Sequence, residues 1–173
     1  MNRRAFFTSA LIGVGIVAIA PTLIGRLKSS TAAAGNAAAG LKSLPVWNNL
    51  TDADWKARLT PAQYAVLREE QTEAQNSSPL LKEARKGVYA CAGCELPAFS
   101  SDTKFDSGTG WPSFFDVLPG AIGTKEDNSL FATRTEVHCS RCGGHFGHVF
   151  DDGPKPTGLR YCLNGAALNF VPA

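Results

Sequence analysis

Four of the chain's cysteines fall in two pairs, Cys91-Ala92-Gly93-Cys94 and Cys139-Ser140-Arg141-Cys142, and nothing else in the sequence constrains the fold as strongly. Two residues between cysteines let both sulfurs of a tight turn reach one ion. Two such turns complete a closed tetrahedral thiolate shell, which suits Zn²⁺. Four thiolates leave no open coordination position, so the ion they hold is structural. Cys94 and Cys139 have 44 residues between them, longer than the commonest zinc-ribbon gap. The ion would therefore staple two distant strand ends and not close a small independent finger. Two disulfides or a redox-active C-x-x-C would use the same residues, and an oxidising compartment favours disulfides. Gly93, Gly143 and Gly144 beside the cysteines fit the tight loops of a metal site.

Five cysteines is an odd count, so an oxidised scaffold leaves one over. The fifth, Cys162, has no C-x-x-C partner and lies in Arg160-Tyr161-Cys162-Leu163-Asn164. A free cysteine is often only a small buried hydrophobe. Strand alternation, however, puts residues 160, 162 and 164 on one face. Arginine, thiol and carboxamide together make a poor core and a good thiolate site, because a neighbouring cation lowers a thiol's pKa. His145 and His148 lie upstream in Gly144-His145-Phe146-Gly147-His148-Val149-Phe150. Their spacing is not diagnostic by itself, and a lone histidine is more often structural. They nonetheless favour Cys162 as the candidate nucleophile.

The 173 residues fit one domain and a leader. Arg3, Arg4, Arg26 and Lys28 give residues 1–35 four positive charges and no acid, so the remainder carries −2 against a chain total of +2. That near-neutral body offers no electrostatic case for nucleic acid. A basic start, an uncharged run from Ala5 to Gly25 and the small-residue stretch Thr31 to Gly40 are the three parts of an export signal. Arg3-Arg4 ahead of Ala5-Phe6-Phe7 resembles a bacterial twin-arginine signal. Residues 5–25 are also long enough to span a bilayer. The expectation is an exported, periplasmic body, soluble after cleavage or tethered to the outer face of the inner membrane by that run. Residues 36–50 read as a linker and 51–173 as the working domain.

Thr51-Asp52-Ala53-Asp54 opens a short helix with a capping pattern. Thr60-Pro61-Ala62-Gln63 opens a second, with Tyr64, Leu67 and Ala74 on its inner face and Asn76-Ser77-Ser78-Pro79 at its end. These helices are expected to pack on the domain and carry no chemistry. After residue 86 glycine and proline are frequent, which favours short strands and turns. Val88-Tyr89-Ala90 reads as a strand into the first cysteine pair, 130–137 as a strand into the second, and 160–170 as the last strands. Residues 95–105 read as loop. Trp111, among the turn residues of 106–115, is a candidate ligand platform, although aromatics are more often buried.

These residues resemble a known family, the methionine-R-sulfoxide reductases. The resemblance covers about residues 45–171. It rests on Asp106-Ser107-Gly108-Thr109-Gly110-Trp111-Pro112-Ser113-Phe114, Arg134-Thr135-Glu136-Val137, the run Gly144 to Phe150, Asp152-Gly153-Pro154 and Arg160 to Asn164. It implies a mainly β (α+β) fold of two antiparallel sheets with short N-terminal helices, and structural zinc on Cys91, Cys94, Cys139 and Cys142. It implies that Cys162 is the catalytic cysteine. His145, His148 and Asn164 match the groups that hold and protonate the sulfoxide oxygen, Trp111 the ring under the substrate methyl, and Arg160 a residue that helps make the thiolate. The substrates would be oxidised proteins bearing methionine sulfoxide, and the expected state is a monomer.

Where many members place a resolving cysteine, this chain has Thr109. With four cysteines on zinc, no thiol remains for an internal disulfide, so the expected reductant is an external small thiol or a thioredoxin-like protein. Gly165, where many relatives carry Ser, and Phe146, where many carry Leu, are milder departures. The competing reading is a non-catalytic zinc-binding interaction module, which would use the same four cysteines but has no need of Arg160, Cys162 and Asn164 beside two histidines. A disulfide-exchange protein is a further rival, which zinc on the cysteine pairs would exclude.

Overall fold

Two threonines start the two helices. Thr51 accepts from the Asp54 amide at 3.3 Å, and Asp54 accepts from the Thr51 amide at 2.8 Å. This reciprocal cap opens helix α1, Asp52–Arg58. Thr60 and Gln63 make the same exchange at the start of α2, Pro61–Glu69, with Pro61 at its first position. In a computed structural model, the chain is described over residues 47–129 and 132–173. The expected leader and the linker as far as residue 46 lie outside those residues, as do Leu130 and Phe131. The rest of the expected linker is not loose: Trp47–Asn49 forms a 3-10 turn, and Trp47 stacks on Trp55 at 6.1 Å.

The second helix is shorter than its pattern predicts. It ends at Glu69, Glu70 turns left-handed (φ 55°), and the Glu70 and Gln71 amides both fold back onto the Ala65 carbonyl. Its buried residues are Val66 and Leu67, while Ala74 is exposed and outside it. Gln71, Glu73, Ala74 and Gln75 are good helix formers, yet residues 71–75 run as non-helical chain, an override of local propensity by tertiary hydrogen bonds that proves central to the site.

Among the described residues nine strands follow in two antiparallel sheets. The first joins β1 (Gly87–Cys91), β2 (Pro97–Ser100) and β9 (Leu168–Pro172) in the order β2-β1-β9. The second takes β3 (Lys104–Phe105), β4 (Ser113–Phe114), β5 (Ile122–Asp127), β6 (Arg134–Cys139), β7 (His145–Phe150) and β8 (Arg160–Leu163) in the order β3-β4-β8-β7-β6-β5. The expected loop at 95–105 thus contains two short strands, and the strand into the second cysteine pair begins at Arg134. Aromatic rings join the sheets: Phe99 of β2 lies 4.9 Å from Phe114, 5.9 Å from Phe146 and 6.1 Å from Tyr161, and Tyr89 of β1 lies 4.9 Å from Phe114. Phe99, Phe114, Phe146, Val137 and Leu163 are fully buried. This packing covers one face of the larger sheet and leaves the other for β5–β8 side chains of a different character.

Candidate active site and metal centre

The two cysteine pairs meet. Cys91, Cys94, Cys139 and Cys142 are all buried, and their sulfurs lie within 4.8 Å of one another. Cys91 Sγ is 3.6 Å from Cys142 Sγ, and Cys94 Sγ is 3.4 Å from Cys139 Sγ. These separations are too long for disulfides and close to the edge of a tetrahedron with Zn–S bonds of about 2.3 Å. Each knuckle is closed by its own backbone, Glu95 amide to Cys91 carbonyl at 2.8 Å and Gly143 amide to Cys139 carbonyl at 2.9 Å, with Glu95 and Gly143 both at positive φ. The Arg68 guanidinium of α2 donates to the Cys142 carbonyl at 3.1 Å. Hydrogen bonds, first from Cys142, hold the Cys139 thiol well below its ordinary pKa, whereas those from Cys139 first push Cys91 up. Four crowded, buried sulfurs of this kind ionise together only around a cation, so the donor set fits a metal.

The other face of the large sheet carries the candidate reacting groups in one straight row. Lys125 pairs with Glu136, Glu136 with His148, His148 with Cys162, and Cys162 with Ser113, each across a strand boundary. Directly opposite residues present side chains on the same face, so the row brings imidazole and thiol together. Tyr161 and Leu163 point into the core. Arg160 shares the Cys162 face by alternation: its guanidinium sits 4.4 Å over the Phe150 ring and is bidentate to Asp152 at 2.8 and 2.9 Å. Asp152 first, and Cys162 after it, hold Arg160 above its usual pKa.

The two histidines lie three residues apart, which in a regular strand puts them on opposite faces. A bulge changes this. Val137 pairs with Gly147 and His138 with His145, leaving Phe146 as the extra residue on β7. The rings consequently meet at 5.4 Å. Gly147 is needed beside the bulge: its φ is 153°, and a Cβ there would lie 2.1 Å from the Cys162 carbonyl oxygen.

A cavity of about 170 Å³ opens at this point, lined by Trp111, Arg134, His148, Phe150, Cys162 and Asn164 among others. It has room for a side chain. A larger cavity of about 640 Å³ lies between β9 and the Ser78–Leu80 turn but contains neither a histidine nor Cys162. The expected site residues divide within this picture. Cys162, His148, Trp111 and Asn164 reach the small pocket. His145 is 3 % exposed and stands behind His148, its Nδ1 on Glu136 at 2.9 Å. Asn164 is 3 % exposed and its amide is committed, Oδ1 accepting from the Glu73 amide at 2.9 Å and Nδ2 donating to the Phe146 carbonyl at 3.1 Å. Burial is the first cause that lowers both histidine pKa values.

Several contributors escaped the sequence reading. The segment after α2 was expected to carry no chemistry. Instead Glu73 receives the Trp111 indole N–H on its carbonyl at 3.1 Å, and its carboxylate accepts from the Gly165 and Ala166 amides at 2.6 and 2.9 Å. It therefore locks the indole and the Asn164 turn together. Asp127 accepts from His148 Nε2 at 2.7 Å and Arg134 at 2.6 Å. Glu136 binds His145 and, at 2.8 Å, Lys125. No spacing rule links these acids to the histidines; only strand register does. Thr109 places its hydroxyl 3.8 Å from Cys162 Sγ and is held by Ser107 at 2.8 Å. At Gly165 a Cβ would lie 1.8 Å from Ser78 Oγ, so Ser78 fills the space a side chain there would take.

A SelR-domain profile matches residues 59–172. The peptide methionine sulfoxide reductase MsrB of Agrobacterium fabrum is 54% identical over 125 residues, 72% of this chain and 93% of that protein. The same-named proteins of Methanosarcina mazei and Leptospira interrogans are 56% and 54% identical, over 70% of this chain and 87% and 94% of theirs. Among solved structures, the Mis18 Yippee-like domain covers 51% of this chain and 98% of its own, at TM-score 0.40 and 16% identity, too distant to bear on the fold.

Proposed function

Since the chain belongs to the SelR-domain family of peptide methionine sulfoxide reductases, it is an oxidoreductase that returns the R epimer of methionine sulfoxide to methionine, and we propose how its own residues do so. The observation that carries the proposal is the Cys162–His148 cross-strand pair beneath Trp111 in a side-chain-sized pocket. Cys162 Sγ attacks the sulfoxide sulfur. A sulfoxide oxygen leaves poorly unless it gains a proton, and His148 delivers one as the sulfur–oxygen bond breaks. The displaced oxygen, now water, bonds to Cys162 Sγ as the bond between Cys162 and the methionine sulfur breaks; methionine leaves with that electron pair, a proton returns to His148, and Cys162 is left as a sulfenic acid. Trp111, fixed by Glu73, carries the substrate methyl, while the imidazole side takes the oxygen; that pairing admits one epimer of a chiral sulfur. Arg160, held by Asp152, supplies positive charge beside the thiolate. Asn164 shapes the pocket by tying Glu73 to Phe146.

An external thiol then attacks the Cys162 sulfenic sulfur and the oxygen leaves as water. A second thiol reduces the mixed disulfide and regenerates Cys162. Thr109 supports this route, since a hydroxyl stands where an internal resolving thiol would have to be. Zinc on the four paired cysteines crosslinks the two knuckles and supplies no reacting group. The basic, apolar and small-residue sections of residues 1–40 support export, so the proteins repaired are those outside the cytoplasm. The test is turnover of a peptide carrying each sulfoxide epimer with a small-thiol reductant. The R peptide is consumed and the S peptide is not, and Cys162→Ser abolishes turnover. Equal consumption of both epimers, or full turnover by Cys162→Ser, contradicts the reading.

A further inference from the structure

We propose that Asp127 and Glu136 are the positioning residues of this site, Asp127 aiming His148 at the pocket and Glu136 holding His145 behind it. The inference rests on the reading of the pocket given above and concerns residues that do not touch substrate themselves.

Asp127 ends β5 as an immobilised carboxylate. Oδ1 accepts from the Ser129 amide at 2.9 Å, while Oδ2 accepts from Arg134 at 2.6 Å and from His148 Nε2 at 2.7 Å. Hydrogen bonds from Ser129 first, then His148, hold its pKa well below the usual carboxylate range. An ionised acceptor fixes the neutral imidazole as the Nε2–H tautomer. Nδ1 is then the nitrogen left for the pocket. It has no protein partner among the described residues, and it is not sealed from the cavity that His148 lines.

The second tier is built alike but lies deeper. Glu136 and His145 are each 3 % exposed at their side chains. Glu136 Oε1 meets His145 Nδ1 at 2.9 Å and Oε2 meets Lys125 at 2.8 Å, and Lys125 reaches the surface carboxylate Glu70 at 2.7 Å. His145 Nε2 is buried with no hydrogen-bond partner among the described residues. An unpaired buried ring nitrogen forgoes the hydrogen bond it would make to water. The chain Glu70–Lys125–Glu136–His145 thus runs from solvent to the ring that backs His148.

The groups facing His148 are Asp127, Arg134, Glu136, His145 and Cys162. Those around His145 are Glu136, Glu70, Lys125, Asp127, Arg134 and His148, with His138 across the strand pair. Burial, Arg134 and the other imidazole disfavour the protonated form of His148, and Asp127 is the carboxylate that opposes them. A proton donor must be protonated to act, so activity is lost as pH rises through its pKa. Removing the charge that favours the protonated form moves that loss to lower pH.

The experiment measures kcat and KM from pH 6 to 9 for Asp127→Asn, Asp127→Glu and Glu136→Gln, with ¹⁵N NMR of the His148 ring. For Asp127→Asn the expected result is a kcat lower by about tenfold or more at pH 8, a smaller loss at pH 6, little change in KM, and a mixed tautomer signal. Asp127→Glu restores the pH profile, and Glu136→Gln shifts it in the same direction by less. A uniform loss at every pH, with the wild-type Nε2–H signal retained in Asp127→Asn, overturns the proposal. If Asp127→Asn does not fold, the wild-type spectrum still decides: an Nδ1–H tautomer overturns it. Turnover surviving in Cys162→Ser would instead sink the reading of the pocket, which is a separate outcome.

Discussion

The molecule contains two cysteine sites whose environments are opposites. At the knuckles four sulfurs are buried and turned toward one another, each loop closed by backbone hydrogen bonds and covered by Trp55 and Leu67 of the helices. At the pocket a single half-buried sulfur stands on a strand face with His148 on one side and Ser113 on the other. On the proposed mechanism the same element is a crosslink in the first place and a nucleophile in the second. What differs is company and access: sulfur surrounded by sulfur is satisfied by a cation, and sulfur surrounded by proton donors and a cavity is available to an electrophile.

The comparison breaks most visibly by removing the metal. The holoprotein treated with a strong chelator, or Cys94→Ser, is expected to lose on the order of 5 kcal/mol or more of stability, read as a collapsed melting transition with one metal ion released per chain. Retention of the transition after metal loss would mean that the knuckles hold without the ion. Next comes the backbone that sets the pocket apart. Gly147→Ala drives a Cβ to within 2.1 Å of the Cys162 carbonyl, and is expected to cost about 1–3 kcal/mol and, by splaying β7 from β8, about 10²-fold in kcat. Denaturant melts and kinetics on the same sample check it. Thr109→Cys sharpens the contrast from the other side, since it puts a second thiol beside Cys162. After one turnover without reductant its mass falls by two hydrogens through an internal disulfide, whereas the parent retains a sulfenic acid. The smallest effect belongs far from both sites: Thr60→Ala removes the α2 cap and is expected to cost about 1 kcal/mol with kcat unchanged.

The parts legible in sequence are those whose physics is local. The caps at Thr51 and Thr60, the knuckle pairs, and the alternation that puts Arg160 and Cys162 on one face each depend on residues a few positions apart, and the structure has each of them. The frequent glycine and proline after residue 86 point to short strands and turns, whereas the arrangement in two antiparallel sheets is implied by the family resemblance and not by any local signal. Illegible were features created by register. Asp127 and Glu136 find their histidines only because β5, β6 and β7 align as they do, and His145 reaches His148 only through the bulge at Phe146. The end of α2 was misread because Gln71 to Gln75 carry no breaker. That stretch is held by hydrogen bonds to Thr109, Trp111, Asn164 and Gly165, which lie 34 or more residues away in the chain.

The central claim, that Cys162 alone reacts while the other four thiols are closed, is tested most directly by one measurement. The zinc-loaded protein is mixed with equimolar R-sulfoxide peptide, no reductant is added, and the protein is mapped by mass spectrometry after trapping of sulfenic acids. The account predicts one oxygen, on the peptide containing Cys162, with the metal still bound. An oxygen on a knuckle cysteine, or a knuckle disulfide formed with release of the metal, would contradict it.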